Sequence, residues 1–240
     1  MFDIHSHILP AIDDGAKDLN ESIELLKMMK NDGITSVMAT PHFYPQDTGL
    51  SEFLNESTLA FKRLKAKTAN TNLPKIYLGC EMLYFDGLGN STSINRLCLN
   101  GSNFLLLELT DFCINDRLFE NIINLTKQSR IIPVIAHIER YCKAKNYKKL
   151  INFVIEYNIP IQLNAASFFV PVFRRPLKKL LNSPAFIVLG TDTHSIDLRP
   201  PKLTEALNFI EKKYGIDCKN RLIKSSELLY KKIISKADSK

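Results

Sequence analysis

The five histidines of this chain follow runs of apolar residues. His5 and His7 lie in DIHSH near the start of the sequence, and His42, His137 and His194 lie in ATPH, IAH and GTDTH. An apolar run that ends at polar residues is typical of a buried strand followed by a loop. Because side chains at i and i+2 of a strand point to the same side, His5 and His7 can hold one metal ion together.

Acidic residues occupy equivalent positions. Glu81 and Glu108 close the runs IYLGC and FLLL, and Asp192 lies two residues before the last histidine. The first loop adds an acidic residue, Asp13 or Asp14. Imidazole and carboxylate ligands without thiolates suit manganese, iron, cobalt or zinc, and the sequence leaves the choice among these metals open.

The number of these residues indicates more than one ion. With Asp14 taken from the first loop, the candidate ligands are His5, His7, Asp14, His42, Glu81, Glu108, His137, Asp192 and His194. This set exceeds the roughly four to six ligands of one ion, but it suits two or three ions that share a bridging carboxylate. Its four carboxylates would leave three divalent ions with a charge of about +2, which matches a phosphate dianion. The pattern therefore favours phosphoester chemistry over peptide hydrolysis.

The elements that must position these side chains alternate along the chain. Apolar runs predict seven strands, at 2–5, 34–40, 75–81, 104–109, 131–137, 159–164 and 186–192. Amphipathic stretches predict helices at 18–33, 51–67, 116–129, 146–157, 173–182 and 201–213, the first with Asp18 as its N-cap and Gly33 at its end. This order indicates repeated βα units and a distorted, closed or nearly closed seven-stranded TIM-like (β/α)7 barrel. Since the carboxyl ends of barrel strands meet on one face, the candidate ligands are expected to converge there.

Length and composition narrow the class of protein. The 240 residues are expected to form one domain, 1–240. No apolar run is long enough to span a membrane, and the N-terminus does not resemble a secretory signal, so a cytoplasmic protein is expected. The five cysteines form no CxxC pair and are expected to be reduced packing residues. The net charge of +7 fits either a solvated basic face or attraction to an anionic partner.

Several motifs together resemble one family. In chain order, DIHSH, IDDG, ATPH, GCE, LLLEL, IAHIERY and GTDTHSIDLRPP are similar to the bacterial capsule-operon protein-tyrosine phosphatases of the polymerase and histidinol phosphatase (PHP) superfamily. The resemblance implies a PHP fold, a distorted seven-stranded TIM-like barrel, with a trinuclear metal site that often holds manganese. It further implies a phosphotyrosine protein as substrate, with the C-terminal tyrosine cluster of a bacterial tyrosine kinase that regulates polysaccharide export as the expected partner.

The resemblance also assigns residues to roles. One ion would take His5, His7, Glu81 and Asp192, a second Glu81, Glu108 and His137, and a third Asp14, His42 and His194. Arg140 and Arg199 match the arginines that bind the substrate phosphate. The expected nucleophile is a hydroxide that bridges two ions, and because tyrosinate leaves easily, no general acid is assigned.

Other interpretations of these residues stay open. Asp13 is expected to support a ligand or shape a turn, Arg140 could instead pair with Glu139, and Arg199 could pair with Asp197. Phe43 and Tyr44 could line a pocket for an aromatic substrate or pack under their own loop.

Alternative functions stay open as well. The substrate could be a small molecule such as histidinol phosphate, or the enzyme could be a nuclease-like phosphodiesterase. The sequence shows no aromatic residues interleaved with basic ones, so nucleic acid is not the expected partner. A metal-stabilised binding module without activity is disfavoured, because every candidate ligand is present.

Overall fold

The computed structural model describes residues 1–91 and 93–237. Within these residues the chain forms nine strands, β1 (Phe2–Ser6), β2 (Ser36–Ala39), β3 (His42–Phe43), β4 (Lys75–Leu78), β5 (Glu81–Leu83), β6 (Phe104–Glu108), β7 (Ile132–Ile135), β8 (Ile161–Asn164) and β9 (Ile187–Gly190). The helices are α1 (Leu19–Asn31), α2 (Leu50–Thr68), α3 (Asp116–Gln128), α4 (Tyr147–Glu156), α5 (Arg174–Leu181), α6 (Leu203–Tyr214) and α7 (Ile216–Ala237). All strand pairs are parallel, and the fold is therefore mixed α/β with parallel sheets.

The six predicted helices are confirmed to within two residues at their ends. In α1, the Asp18 side chain accepts hydrogen bonds from the N–H groups of Asn20 and Glu21, as expected of an N-cap. Gly33 follows the helix with a φ of 77°, which a residue without Cβ adopts without strain. The sequence interpretation did not include α7, a helix of 22 residues.

The strands form two sheets, ordered β1-β2-β4 and β3-β5-β6-β7-β8-β9. The predicted strand 34–40 corresponds to β2 and the predicted strand 75–81 to β4, with Glu81 as the first residue of β5. The short strands β3 and β5 were not predicted; at both places the chain leaves the first sheet and joins the second. Pro41, which has no N–H to donate to a ladder, lies at the first of these places. The expected closed seven-stranded barrel is not confirmed.

The two sheets nevertheless share an apolar interior. One buried cluster combines side chains of β1, β2, β6, β7 and β9 with Leu229 and Ile233 of α7. The free side of β1 reaches the segment after β9, where Asp192 N–H donates to the His5 carbonyl and His7 N–H to the Thr193 carbonyl, both at 2.8 Å. These contacts bring the carboxyl ends of β1 and β9 together.

Within the described residues, no helix is long and apolar enough to cross a membrane. All five cysteines are free thiols, as expected.

Candidate metal centre

The structure brings all nine predicted ligands together in one cluster, although His42 and Glu81 begin the short strands β3 and β5 rather than end a strand. Their ligand atoms form three overlapping groups, each with all its atoms within 4.8 Å of one another: His5, His7, Glu81 and Asp192; His7, Asp14, His42 and His194; and His42, Glu81 and Glu108. His137 joins them through Nε2, which lies 2.9 Å from Glu81 Oε1 and 3.5 Å from Glu108 Oε1.

The grouping differs in detail from the sets that the resemblance implied. The first group has the same four members. His7 joins the set implied to contain Asp14, His42 and His194. Beside Glu81 and Glu108, His42 takes the place that the resemblance gave to His137. Glu81 lies between the groups: its Oε2 is 3.0 Å from His5 Nε2, 3.2 Å from His7 Nε2 and 3.1 Å from His42 Nδ1.

The local backbone is shaped to hold these side chains. His137 and Asp192 have φ values of 31° and 53°, in the left-handed region that side-chain-bearing residues seldom adopt. Gly15 passes so close to β1 that a Cβ there would lie 2.1 Å from the His7 carbonyl oxygen. The loop carrying Asp13 and Asp14 can therefore approach His7 only with glycine at this position.

The hydrogen bonds of the imidazoles leave lone pairs free in the site. His5 Nδ1 lies 3.2 Å from Gln162 Oε1, His7 Nδ1 lies 2.7 Å from Asp13 Oδ2, and His194 Nδ1 lies 2.9 Å from the Asp192 carbonyl oxygen. Each of these oxygens accepts a hydrogen bond from Nδ1–H, so in the neutral imidazoles the Nε2 atoms carry the lone pairs. The Nε2 atoms of His5 and His7 are 3.1 Å apart, a contact that a shared cation would make favourable.

Unpartnered polar atoms indicate the same fit to metal ions. Among the described residues, Glu81 Oε2, His42 Nδ1 and His194 Nε2 are buried and make no hydrogen bond, even though imidazole nitrogens lie as close as 3.0 Å to Glu81 Oε2. Buried polar atoms normally find partners, and here oxygen and imidazole nitrogen atoms converge without them. The donor set fits divalent cations of the manganese, iron, cobalt and zinc type.

Burial and neighbouring charge perturb the carboxyl groups. Burial alone would raise the pKa of Glu81, but His5, His137 and His7 hold it well below its ordinary value. Burial likewise opposes ionisation of Asp192, whereas His5, His7 and Arg140 hold its pKa well below the usual range. Glu108 behaves differently, since burial and the charge of Glu81 raise its pKa to about 7.

The two predicted phosphate-binding arginines lie beside the ligands. Arg140 Nη2 and Arg199 Nη2 both donate to Asp192 Oδ2. Both guanidinium side chains are 38% exposed, so they combine a contact to the buried centre with access from outside. Arg199 forms no salt bridge with Asp197 in the described residues, and Glu139 Oε1 accepts hydrogen bonds from the Ser167 hydroxyl and the Asn164 N–H.

The aromatic residues after His42 have different surroundings. Phe43 is buried against Phe53, with ring centroids 4.9 Å apart, and so belongs to the core. Tyr44 stacks on His42 at 5.0 Å and lines a cavity of about 360 Å³ that also touches Asp14.

The sequence interpretation missed several residues that hold the ligands. Gln162 contacts His5 and accepts from the His137 N–H at 2.7 Å, and Asn164 donates to Asp192 Oδ2 at 2.7 Å. Tyr141 Oη lies 3.3 Å from His137 Nδ1. Gln162 and Asn164 could have been found as polar residues two apart in the strand IQLN, on the same side as a ligand cluster.

Comparisons with known proteins give matches that extend over nearly the whole chain. The family model for capsular polysaccharide synthesis proteins, CpsB/CapC, matches residues 1–229. The chain is 29% identical over 228 residues to the tyrosine-protein phosphatase CpsB of Streptococcus pneumoniae, covering 90% of this chain and 91% of the relative. It is also 29% identical over 238 residues to the tyrosine-protein phosphatase YwqE of Bacillus subtilis, covering 95% and 91%.

A solved structure is similar as well. It comes from a study of YwqE from Bacillus subtilis and CpsB from Streptococcus pneumoniae, which that study describes as unique metal-dependent tyrosine phosphatases. The match has a TM-score of 0.81 at 26% identity and covers 97% of this chain and 95% of that chain.

Proposed function

Because this chain belongs to the CpsB/CapC family of capsular polysaccharide synthesis proteins, we propose that it is a metal-dependent protein-tyrosine phosphatase. The observation that carries the proposal is the convergence of five imidazoles and four carboxylates beside two arginines. The relatives named above are tyrosine-protein phosphatases, and they align over nearly the whole chain.

Two or three divalent ions, manganese foremost, would bind to His5, His7, Asp14, His42, Glu81, Glu108, His137, Asp192 and His194. Glu81 is the proposed bridge, since its oxygens lie near four imidazoles. When bound, such ions supply a water of lowered pKa and positive charge for the phosphoryl oxygens.

The protein's own groups would bind and orient the phosphate. Each guanidinium carries five N–H donors, so Arg140 and Arg199 can contact Asp192 and still offer donors to phosphate oxygens. Asp192 fixes both arginines relative to the cluster. Tyr44 borders the cavity beside Asp14 and His42, which has room for a phenol ring. The leaving phenolate has a conjugate acid with a pKa of about 10, so the reaction needs little help from a general acid.

Exposed apolar side chains favour a protein substrate over a small molecule. Phe112 is 94% exposed and Leu198 is 88% exposed. Phe112 follows β6, which ends in Glu108, and Leu198 follows the segment after β9 that contains Asp192 and His194. Large apolar side chains at the border of a site are typical of contacts with a macromolecule. The proposed partner is the tyrosine cluster at the C-terminus of a bacterial tyrosine kinase that regulates capsular or exopolysaccharide synthesis.

The fold-level proposals follow the same family. We propose that residues 1–240 act as a single PHP-type domain and that its sheets form a distorted barrel that is opened between β4 and β6. The apolar interior shared by both sheets supports this arrangement. The proposed location is the cytoplasm, where a kinase tail would be accessible.

A turnover assay compares a phosphotyrosine peptide, a phosphoserine peptide, histidinol phosphate and single-stranded DNA, each with Mn²⁺ and with chelator. We expect metal-dependent turnover of the phosphotyrosine peptide to exceed the others. Leu198→Ser should raise KM for the peptide but not for p-nitrophenyl phosphate. Preference for histidinol phosphate or DNA would contradict the proposed substrate, and equal rates in chelator would contradict the metal.

A further inference from the structure

The strand β4 has an open edge. It pairs with β2 on one side, through Lys75 N–H to the Thr35 carbonyl at 2.9 Å and Gly79 N–H to the Ala39 carbonyl at 2.8 Å. In a parallel ladder, alternate residues bond to the same neighbour, so the N–H and C=O groups of Ile76 and Leu78 point to the other side. Among the residues that the structure describes, no strand pairs with β4 there.

A cavity runs along this edge. Its volume is about 550 Å³, and its walls come from α2, from β4 with the two residues after it, from the segment 96–101 and from Ile234 of α7. Ile76, Tyr77 and Leu78 all border it. Successive side chains of a strand point to opposite faces, so a space that touches all three lies along the edge of the strand rather than over one face. A second cavity of about 490 Å³ continues it past Lys75 and shares Lys65, Ile76 and Tyr77.

We call these two cavities together the groove, and its charged side chains are all basic. Lys65, Lys75 and Arg96 line it, and no aspartate or glutamate among the described residues does. None of these three forms a salt bridge with a described residue. Apolar side chains such as Phe61 and Leu78 complete the walls. The groove thus offers backbone hydrogen bonds, apolar contacts and uncompensated positive charge in one place.

We propose that β4 binds an extended acidic peptide segment of a partner protein as an added parallel or antiparallel strand. Backbone groups of Ile76 and Leu78 would bond to the peptide, and its carboxylates would lie near Lys65, Lys75 and Arg96. Strand addition to an exposed edge is a common mode of peptide recognition, in which main-chain bonds give affinity and flanking pockets give selectivity. A basic groove without carboxylates selects an acidic segment. The proposal concerns binding alone and does not depend on the phosphatase activity.

The probe is a fluorescein-labelled eight-residue peptide of alternating glutamate and valine, titrated with Mn²⁺-loaded full-length protein in 150 mM salt and followed by anisotropy. Leu78→Pro removes the N–H that faces the groove while leaving the bonds to β2, and it should weaken binding at least tenfold. Leu78→Val keeps the N–H and should stay within about twofold of the wild type. Arg96→Glu should weaken binding at least tenfold, whereas Arg63→Glu, on α2 but outside the groove, should have little effect.

A second measurement does not depend on the proline variant folding. In the wild-type protein, the amide hydrogens of Ile76 and Leu78 should exchange more slowly once the peptide is added. Absence of peptide binding at millimolar concentration, unchanged exchange at both amides, or equal weakening by Arg63→Glu and Arg96→Glu would each overturn the proposal. Tighter binding of a fifteen-residue oligothymidine, weakened by Arg96→Glu but not by Leu78→Pro, would assign the groove to nucleic acid and overturn it as well.

Discussion

Replacing Asp13 by asparagine tests whether a residue that binds no metal itself sets the metal affinity. Asp13 Oδ2 accepts from His7 Nδ1 at 2.7 Å and from His42 N–H at 3.0 Å, and Oδ1 accepts from Gly15 N–H at 3.0 Å. Burial alone would raise the pKa of Asp13, but the hydrogen bond and charge of His7 lower it to about 2. The carboxylate is therefore ionised at neutral pH and keeps the His7 proton on Nδ1, with Nε2 facing the cluster.

The expected size of the effect follows from this geometry. Asparagine has one side-chain oxygen where aspartate has two, so in either orientation its NH₂ group faces an N–H donor, either that of Gly15 or those of His7 and His42. It also loses the charge that strengthens these bonds. Loss of such a support costs about 10- to 100-fold in metal affinity, or about 1.4–2.7 kcal/mol. Because the metal ligands themselves remain, most of kcat should return at saturating Mn²⁺.

The assay is a Mn²⁺ titration in competition with a fluorescent chelator, with turnover of p-nitrophenyl phosphate measured in parallel. Asp47→Asn is the matched control, since Asp47 lines the same cavity as Asp13 but contacts no imidazole in the described residues. Asp14→Asn should lower kcat even at saturating metal. Affinity within twofold of the wild type for Asp13→Asn, or an equal loss for Asp47→Asn, would refute the reasoning.

Three further outcomes are expected. Arg199→Ala should raise KM for a phosphotyrosine peptide about 10- to 100-fold, because a charge-assisted hydrogen bond contributes about 1.5–3 kcal/mol. Arg199→Lys should restore only part of the lost affinity, and an unchanged KM for Arg199→Ala would contradict phosphate binding. Burial raises the pKa of Glu139 to about 7, so its ionisation lowers stability as the pH rises from its ordinary pKa of 4.5 through 7. In urea denaturation, the free energy of unfolding of Glu139→Gln should therefore exceed that of the wild type by at most about 3 kcal/mol at pH 8, and by less at pH 5.5. A difference that does not depend on pH would contradict this explanation. Removal of metal by chelator should abolish turnover. In calorimetry, Mn²⁺ at about 100 times its Kd should raise Tm by about 5–10 °C, and His5→Ala should reduce this shift.

The sequence predicted much of the fold because its signals were local. Asp18 and Gly33 bound α1 through capping geometry that depends on a few neighbouring residues. The strands β3 and β5 were missed because each has only two or three residues, too few to show a strand period, and because their pairing depends on the other strands. As a result, Glu81 begins β5, whereas the sequence interpretation placed it at the end of a strand.

The last helix, α7, was not predicted at all. The basic composition of the C-terminal third suggested a charged surface, yet α7 places Leu222, Leu229 and Ile233 in the core. These residues are spaced by seven and four positions, which is a helical pattern that the lysines between them obscured.

Some residues of the candidate site could be predicted from local sequence patterns, and others depend on contacts between distant parts of the chain. The clustering of the candidate ligands could be predicted because metal chemistry favours imidazoles and carboxylates, and because parallel strands bring the segments that follow them to one face. The sequence offered Asp13, six residues from His7, as a support, whereas Gln162 and Asn164 were missed because their role depends on neighbours far away in the chain. Gln162 shows the reason: its single side-chain oxygen serves both His5 and the His137 N–H, which lie 157 and 25 residues away along the chain. A variant such as Gln162→Leu should therefore disturb two ligands from different strands at once, although nothing near position 162 in the sequence resembles a metal site.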